Sequence, residues 1–286
     1  MELLTTLIEI TIDGIGRGML WALLGAGITL VFGLGEVLNL SQGVLAVVGA
    51  AVVFEMTNIG VHVVPAVVIG IVALAVLSYA IDQVILSSVY RSEGEERIMV
   101  AIFVTVGILL ALEGLMFQRY PGSFSLPGGI SSIDVGSVTI LGASILNIAV
   151  GVIVISLLFI YLNYTYSGNA ARTIASDETG AYLCGVDVRR MRTVIFILSG
   201  MLAAIAGILY GIGTEISVAA AFELTVFALL VSIVGGVRDV RGTIMSGIGL
   251  GVVFTYANYF IGSYVAMIAL FLAVMLTIAI RKEDTL

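Results

Sequence analysis

Residues Gly25 to Gly49 read GAGITLVFGLGEVLNLSQGVLAVVG, two apolar stretches joined by Glu36-Val-Leu-Asn39-Leu40-Ser41-Gln42-Gly43. Amide and hydroxyl groups in such surroundings are costly unless they bond across helices or line a wet cavity. Glycine-interrupted apolar segments are also the best sequence pointer to a transport site. Interhelical glue, a helix N-cap at Asn39 or Ser41, and a solute pathway are all open readings of this break. The setting is the same along the whole chain: 60% of its 286 residues are hydrophobic, 11% are charged and the mean hydropathy is +1.19. A soluble domain carries ~25% charged residues. A hydrocarbon core ~30 Å thick needs ~20 apolar residues per helix, so this chain holds enough for about 8–10 transmembrane segments. The fold class is all-α, a polytopic integral membrane helical bundle in the lipid bilayer, read as a single transmembrane domain over residues 1–286.

Apolar runs bounded by charge or turn residues fall near 14–34, 36–57, 62–86, 98–118, 139–162, 193–214, 219–237, 242–261 and 264–280. Residues 1–13 alternate apolar positions with Glu2, Glu9 and Asp13 and read as an interfacial segment, with no basic n-region of a cleaved signal. With the C-terminus in the cytoplasm, ten of the twelve basic residues fall on the cytoplasmic side, Arg17 and Arg119 excepted. The positive-inside bias requires that arrangement. The long external loop, Arg119 to Gly136, is rich in Gly, Pro and Ser, whereas the cytoplasmic loop 163–192 reads as a docking element with one short helix around 170–185.

Several chemistries are excluded by counting. Cys184 and His62 are the only residues of their kinds, so no intrachain disulfide, zinc cage or two-histidine metal site can be built. Lys282 is the only lysine, so no Walker A loop exists and the chain does not hydrolyse ATP by itself. No catalytic residue, metal or cofactor is expected. A net charge of −7 argues against nucleic acid as a partner.

Gly14-Ile-Gly16-Arg-Gly18 resembles a phosphate loop only superficially, because no strand precedes it. Ala203-xxx-Gly207-xxx-Gly211 and Gly247-xxx-Gly251 read as helix-packing stripes. Candidate pathway residues are Asn39, Ser41, Gln42 and Gly43 at the break, together with Glu113 inside the fourth segment and Glu223 near the outer end of the seventh. A charged side chain at membrane depth costs on the order of 3 kcal/mol on insertion scales, so it faces protein, a cavity or the interface. The seventh segment, ending at Gly235-Gly236, is the counterpart expected for the broken second one.

Three stretches taken together resemble the integral-membrane permeases of branched-chain amino acid ABC importers. They are Gly25 to Gly49, then Ala175 to Gly211 (ASDETGAYLCGVDVRRMRTVIFILSGMLAAIAGILYG), then Val231 to Gly251 (VSIVGGVRDVRGTIMSGIGLG). The second is shared with the related sugar permeases, and the Leu-Ser of the break leans to that branch. The resemblance implies a plasma-membrane permease subunit working by alternating access. Its implied partners are ABC ATPase subunits, a second homologous permease in a heterodimer and an extracytoplasmic solute-binding protein. It also implies that the 163–192 loop couples to the ATPase, with Asp177 and Glu178 presented to the cytoplasm. Gly180 and Gly185 would then shape the loop, and Arg189, Arg190 and Arg192 would anchor its exit at the anionic leaflet. The alternatives are a sugar or nucleoside permease, or a secondary transporter or channel.

Overall fold

The computed structural model describes residues 2–92, 94–129, 131–135 and 138–280. Arg281 and Lys282, which belong to the charge argument, and Gly136, which closes the external loop, lie outside the described residues. Among the described residues, six helical stretches are long and apolar enough to cross a membrane. They belong to α1 (Glu2–Gly35), to α3 (Val63–Ile81) running through a π turn at Asp82–Leu86 into α4 (Ser87–Val89), and to α5 (Gly94–Arg119), α6 (Gly142–Tyr164), α9 (Val188–Gly213) and α11 (Val240–Ile261). Three shorter apolar helices sit at the other candidate segments: α2 (Gln42–Asn58), α10 (Ala220–Gly235) and most of α12 (Ser263–Ile280). Helices α2 and α10, of 17 and 16 residues, span only about 25 Å at ~1.5 Å per residue, less than a ~30 Å hydrocarbon core.

Two of the differences from the sequence reading have a local reason. Helix α2 begins at Gln42 rather than at residue 36, because Glu36 takes the left-handed φ of 53° and ends α1. Residues 2–13 form no separate segment, since Glu2–Gly35 is one helix. Its first turns are held by neighbours: the Glu9 carboxylate accepts from the Thr139 backbone N–H (2.6 Å), the Thr11 hydroxyl meets the Tyr256 hydroxyl (2.8 Å), and the Ser144 hydroxyl donates to Asp13 (2.7 Å).

Helix α1 is the axis of the bundle: 89% of its apolar window is buried, against 22% for α5 on the periphery. Glycine lets its backbone approach α11. A Cβ on Gly18 would meet the Ile248 Cα at 2.7 Å, and one on Gly251 would meet the backbone of Gly18. The Gly14-Ile-Gly16-Arg-Gly18 run is thus a packing seam. On α9, Gly207 lies against the backbone of Ala46 in α2, and Ala203 and Ala204 are fully buried. Close backbone approach of this kind is how helices associate where lipid removes the hydrophobic drive.

The connections fall at two ends of the bundle. One end holds residues 36–41, α7 (Tyr166–Ser176), α8 (Glu178–Leu183) and the 236–239 turn, where Arg238 pairs with Glu36 at 2.9 Å. The other end carries an antiparallel hairpin whose first strand, β1 (Ile133–Val135), lies in the stretch read only as an irregular external loop and whose second, β2 (Val138–Ile140), lies beyond it. There Phe124 and Ile216 exchange backbone hydrogen bonds of 2.9 and 2.7 Å. Glu55 receives both Arg119 (2.8 Å) and the Tyr120 hydroxyl (2.7 Å). Burial and the hydrogen bond to Glu55 push the Tyr120 hydroxyl up to about 12, so it stays a donor at physiological pH.

Candidate functional site

The polar break is a hydrogen-bonded knot. Asn39, Ser41 and Gln42 are fully buried. The Asn39 Oδ1 accepts from the Ser41 hydroxyl (2.6 Å) and backbone N–H (3.1 Å), and its Nδ2 donates to Gln42 Oε1 (3.1 Å). Gln42 Nε2 donates to the Ser199 carbonyl (3.1 Å), and the Ser199 hydroxyl returns a bond to Gln42 Oε1 (3.0 Å). The Gly43 N–H donates to Thr225 Oγ1 on α10 (2.9 Å), while Thr105 Oγ1 on α5 accepts from the Leu40 N–H (3.2 Å). Buried polar groups must be paired, and these are paired by protein on three neighbouring helices. The break therefore ties α2 to α5, α9 and α10, and its residues 39–43 line neither of the cavities described below. The two short helices meet at Gly43, where a Cβ would run into the Ala221 carbonyl oxygen. Sequence reasoning missed Thr105, Ser199 and Thr225. Ser199, next to Gly200 in a small-residue stripe, carried a usable signal; the two threonines carried none.

The loop between α6 and α9 holds two helices rather than one, because Asp177 breaks it. Its backbone is extended (φ −155°, ψ 102°) and its Oδ1 accepts from the Gly180 N–H (3.0 Å), capping α8. A Cβ on Gly180 would collide with that cap. Gly185, at φ 82°, ends α8 in a conformation that glycine adopts without strain. Glu178 does not project as a free docking charge. It pairs with Arg192 (2.8 Å) and Arg97 (3.4 Å), whose side chains are 7% and 9% exposed. Arg192 does not reach the leaflet either; it lies over the Tyr90 ring (4.8 Å) with Nε directed at the Leu34 carbonyl (3.4 Å). Burial raises the Tyr90 hydroxyl well above its ordinary range, with the Asp82 carboxylate adding to the shift. Arg189 and Arg190 are exposed, and Tyr182 and Leu183 form a bare tip on α8. A cleft of about 1030 Å³ opens here, lined by Glu36, Arg97, Glu178, Tyr182, Gly185 and Arg189 among others. Arg97, Tyr90 and Arg192 are thus the positioning residues of this element.

Of the two isolated carboxylates, Glu113 sits half-buried on peripheral α5 and makes no ion pair among the described residues. Glu223 lies at the opposite end from α8, on the rim of a second cavity of about 380 Å³ between α1, α6, α9, α10 and α11. The structure therefore brings residues 39–43 together in the core and the 177–190 set together at one end. It separates Glu113 and Glu223 from both.

A polytopic helical bundle with two short, touching helices, an anchored helical loop at one end and a cavity at the other is a multi-pass membrane protein. The family model described as "Branched-chain amino acid transport system / permease component" matches residues 10–280, and the chain belongs to that family. It is 25% identical over 260 residues to the high-affinity branched-chain amino acid transport system permease protein LivH of Salmonella typhimurium, covering 84% of this chain and 82% of that one. It is 24% identical over 274 residues to the ribose import permease protein RbsC of Escherichia coli, covering 92% and 82%. Among solved structures, PsaBC from Streptococcus pneumoniae in complex with Fab shares the fold, with a TM-score of 0.53 at 10% identity over 95% of this chain and 92% of that one.

Proposed function

We propose that the chain is the membrane-spanning subunit of an ABC importer for branched-chain or other hydrophobic amino acids. It moves solute by alternating access in the plasma membrane, with its C-terminus in the cytoplasm. The observation that carries this reading is the α7–α8 element, whose bare Tyr182–Leu183 tip projects while Glu178 fastens its base to α5 and α9. An apolar tip on a rigid base transmits force; a free loop would not. In this reading a separate ATPase docks at the tip and performs all ATP hydrolysis, and a second homologous permease completes the pathway. A solute-binding protein delivers to the hairpin end.

Single cysteines at 182 or 183 in a Cys184→Ala background test the docking. In the assembled transporter they are expected to cross-link to the ATPase, whereas a cysteine at Ser131, in the external loop, is not. Cross-linking at 131 with none at 182 or 183 would invert the orientation and remove the loop from coupling.

A further inference from the structure

We propose that the cavity at the hairpin end is a transit site for a zwitterionic α-amino acid with an apolar side chain, an inference that rests on the amino-acid reading above. Its volume of about 380 Å³ lies within the ~300–1,000 Å³ of ordinary small-molecule sites. Its walls form two layers. Helix α1 enters from this end, so Asp13, Arg17 and Trp21 descend one turn at a time, ~6 Å each. On α10, Phe227 lies one turn below Glu223. The outer layer is therefore charged. The inner layer is aromatic: Trp21 stacks on Phe227 with centroids 4.4 Å apart, and Phe254 meets the two edge-on at 5.3 and 5.8 Å.

The charged layer is incomplete as the chain supplies it. Arg17 rests over the Phe254 ring at 5.4 Å and makes no ion pair or side-chain hydrogen bond among the described residues. A guanidinium among apolar helices calls for an anion, and a carboxylate fits it bidentately. Asp13 takes the Ser144 hydroxyl on Oδ1, and Glu223 stands exposed on the rim. Asn147, only 7% exposed, lines the cavity with an Oδ1 that has no hydrogen-bond partner. An orphaned buried acceptor needs a donor. A cationic site, an anionic site and a free acceptor above an aromatic floor complement an ammonium, a carboxylate and an aliphatic side chain on one small molecule. A sugar brings hydroxyls but no charge and would leave Arg17 unpaired.

Trp21 is the only tryptophan in the chain, so its emission reports on this cavity in the purified full-length protein in nanodiscs. Titration with leucine is expected to give a saturable change. Leucinamide and 4-methyl-2-oxopentanoate, each missing one charge, should need at least tenfold more, and ribose should be silent. Arg17→Gln should weaken leucine at least tenfold and erase its advantage over leucinamide, with Arg17→Lys restoring part of both. Should Arg17→Gln fail to fold, the wild-type comparison still decides: leucinamide or ribose matching leucine overturns the site. Leucine import by the assembled transporter with a silent Trp21 overturns the site and leaves the functional reading standing. Import of ribose but not leucine overturns the reading, and the site with it.

Discussion

Gly43→Leu is expected to remove most of the folded permease from the membrane, while Gly107→Leu, also inside an apolar helix, leaves it in place. The difference is geometric. At Gly43 a Cβ meets the Ala221 carbonyl oxygen, the Thr225 hydroxyl and the Thr225 backbone nitrogen (2.7 Å). Two of those three atoms belong to the α10 backbone, which cannot rotate away as a side-chain end does. Overpacking typically costs ~1–3 kcal/mol when side chains can give. Here α2 and α10 must separate, and the Gly43 N–H bond to Thr225 goes with them, so the cost should exceed that range. At Gly107 nothing lies within 4 Å of the added carbon, and removing a helix-interior glycine gains ~1 kcal/mol of propensity. Detergent-resistant yield and thermal midpoint of the two variants check this. Equal yields would mean that the α2–α10 crossing is looser than its geometry implies.

Glu178→Gln is expected to leave the bundle assembled but to waste ATP. Neutralising this carboxylate strips the charge partner from two guanidiniums whose side chains are 7% and 9% exposed. Charged hydrogen bonds are worth ~1.5–3 kcal/mol each when lost, and Glu178 is itself 44% exposed, which places the loss at the low end. That is enough to free the base of α8 without unfolding the core. The number of ATP molecules hydrolysed per solute imported should rise more than tenfold, with Glu178→Asp intermediate. An unchanged ratio would show that the pair merely decorates the loop.

What the sequence revealed and what it hid divide along physical lines. The nine apolar segments were legible because membrane depth imposes length and composition on each one separately. The small-residue stripes were legible because close helix approach demands them at helical spacing. The pairs that give the two sites their shape were not. Gln42 meets Ser199 across 157 positions and Arg97 meets Glu178 across 81, and no local pattern announces such a meeting. Glu178 and Arg192 were both singled out, yet each was assigned to a surface, because charge near a loop normally seeks water. The burial of Arg192 and the pairing of the half-exposed Glu178 depend on Tyr90 and Arg97, which come from a different part of the chain. The polar break was located correctly, whereas its environment depended on three hydroxyls from three other helices.

In the proposed function this chain carries an apolar amino acid inward at the expense of ATP hydrolysed by a partner. The most direct measurement is uptake into proteoliposomes that contain the chain with its partner permease and ATPase, with the binding protein added outside and ATP sealed inside. Labelled leucine should accumulate against its gradient only with internal ATP and binding protein, and excess unlabelled isoleucine should compete while ribose does not. Accumulation of ribose but not leucine, or leucine uptake that needs no ATP, would contradict it.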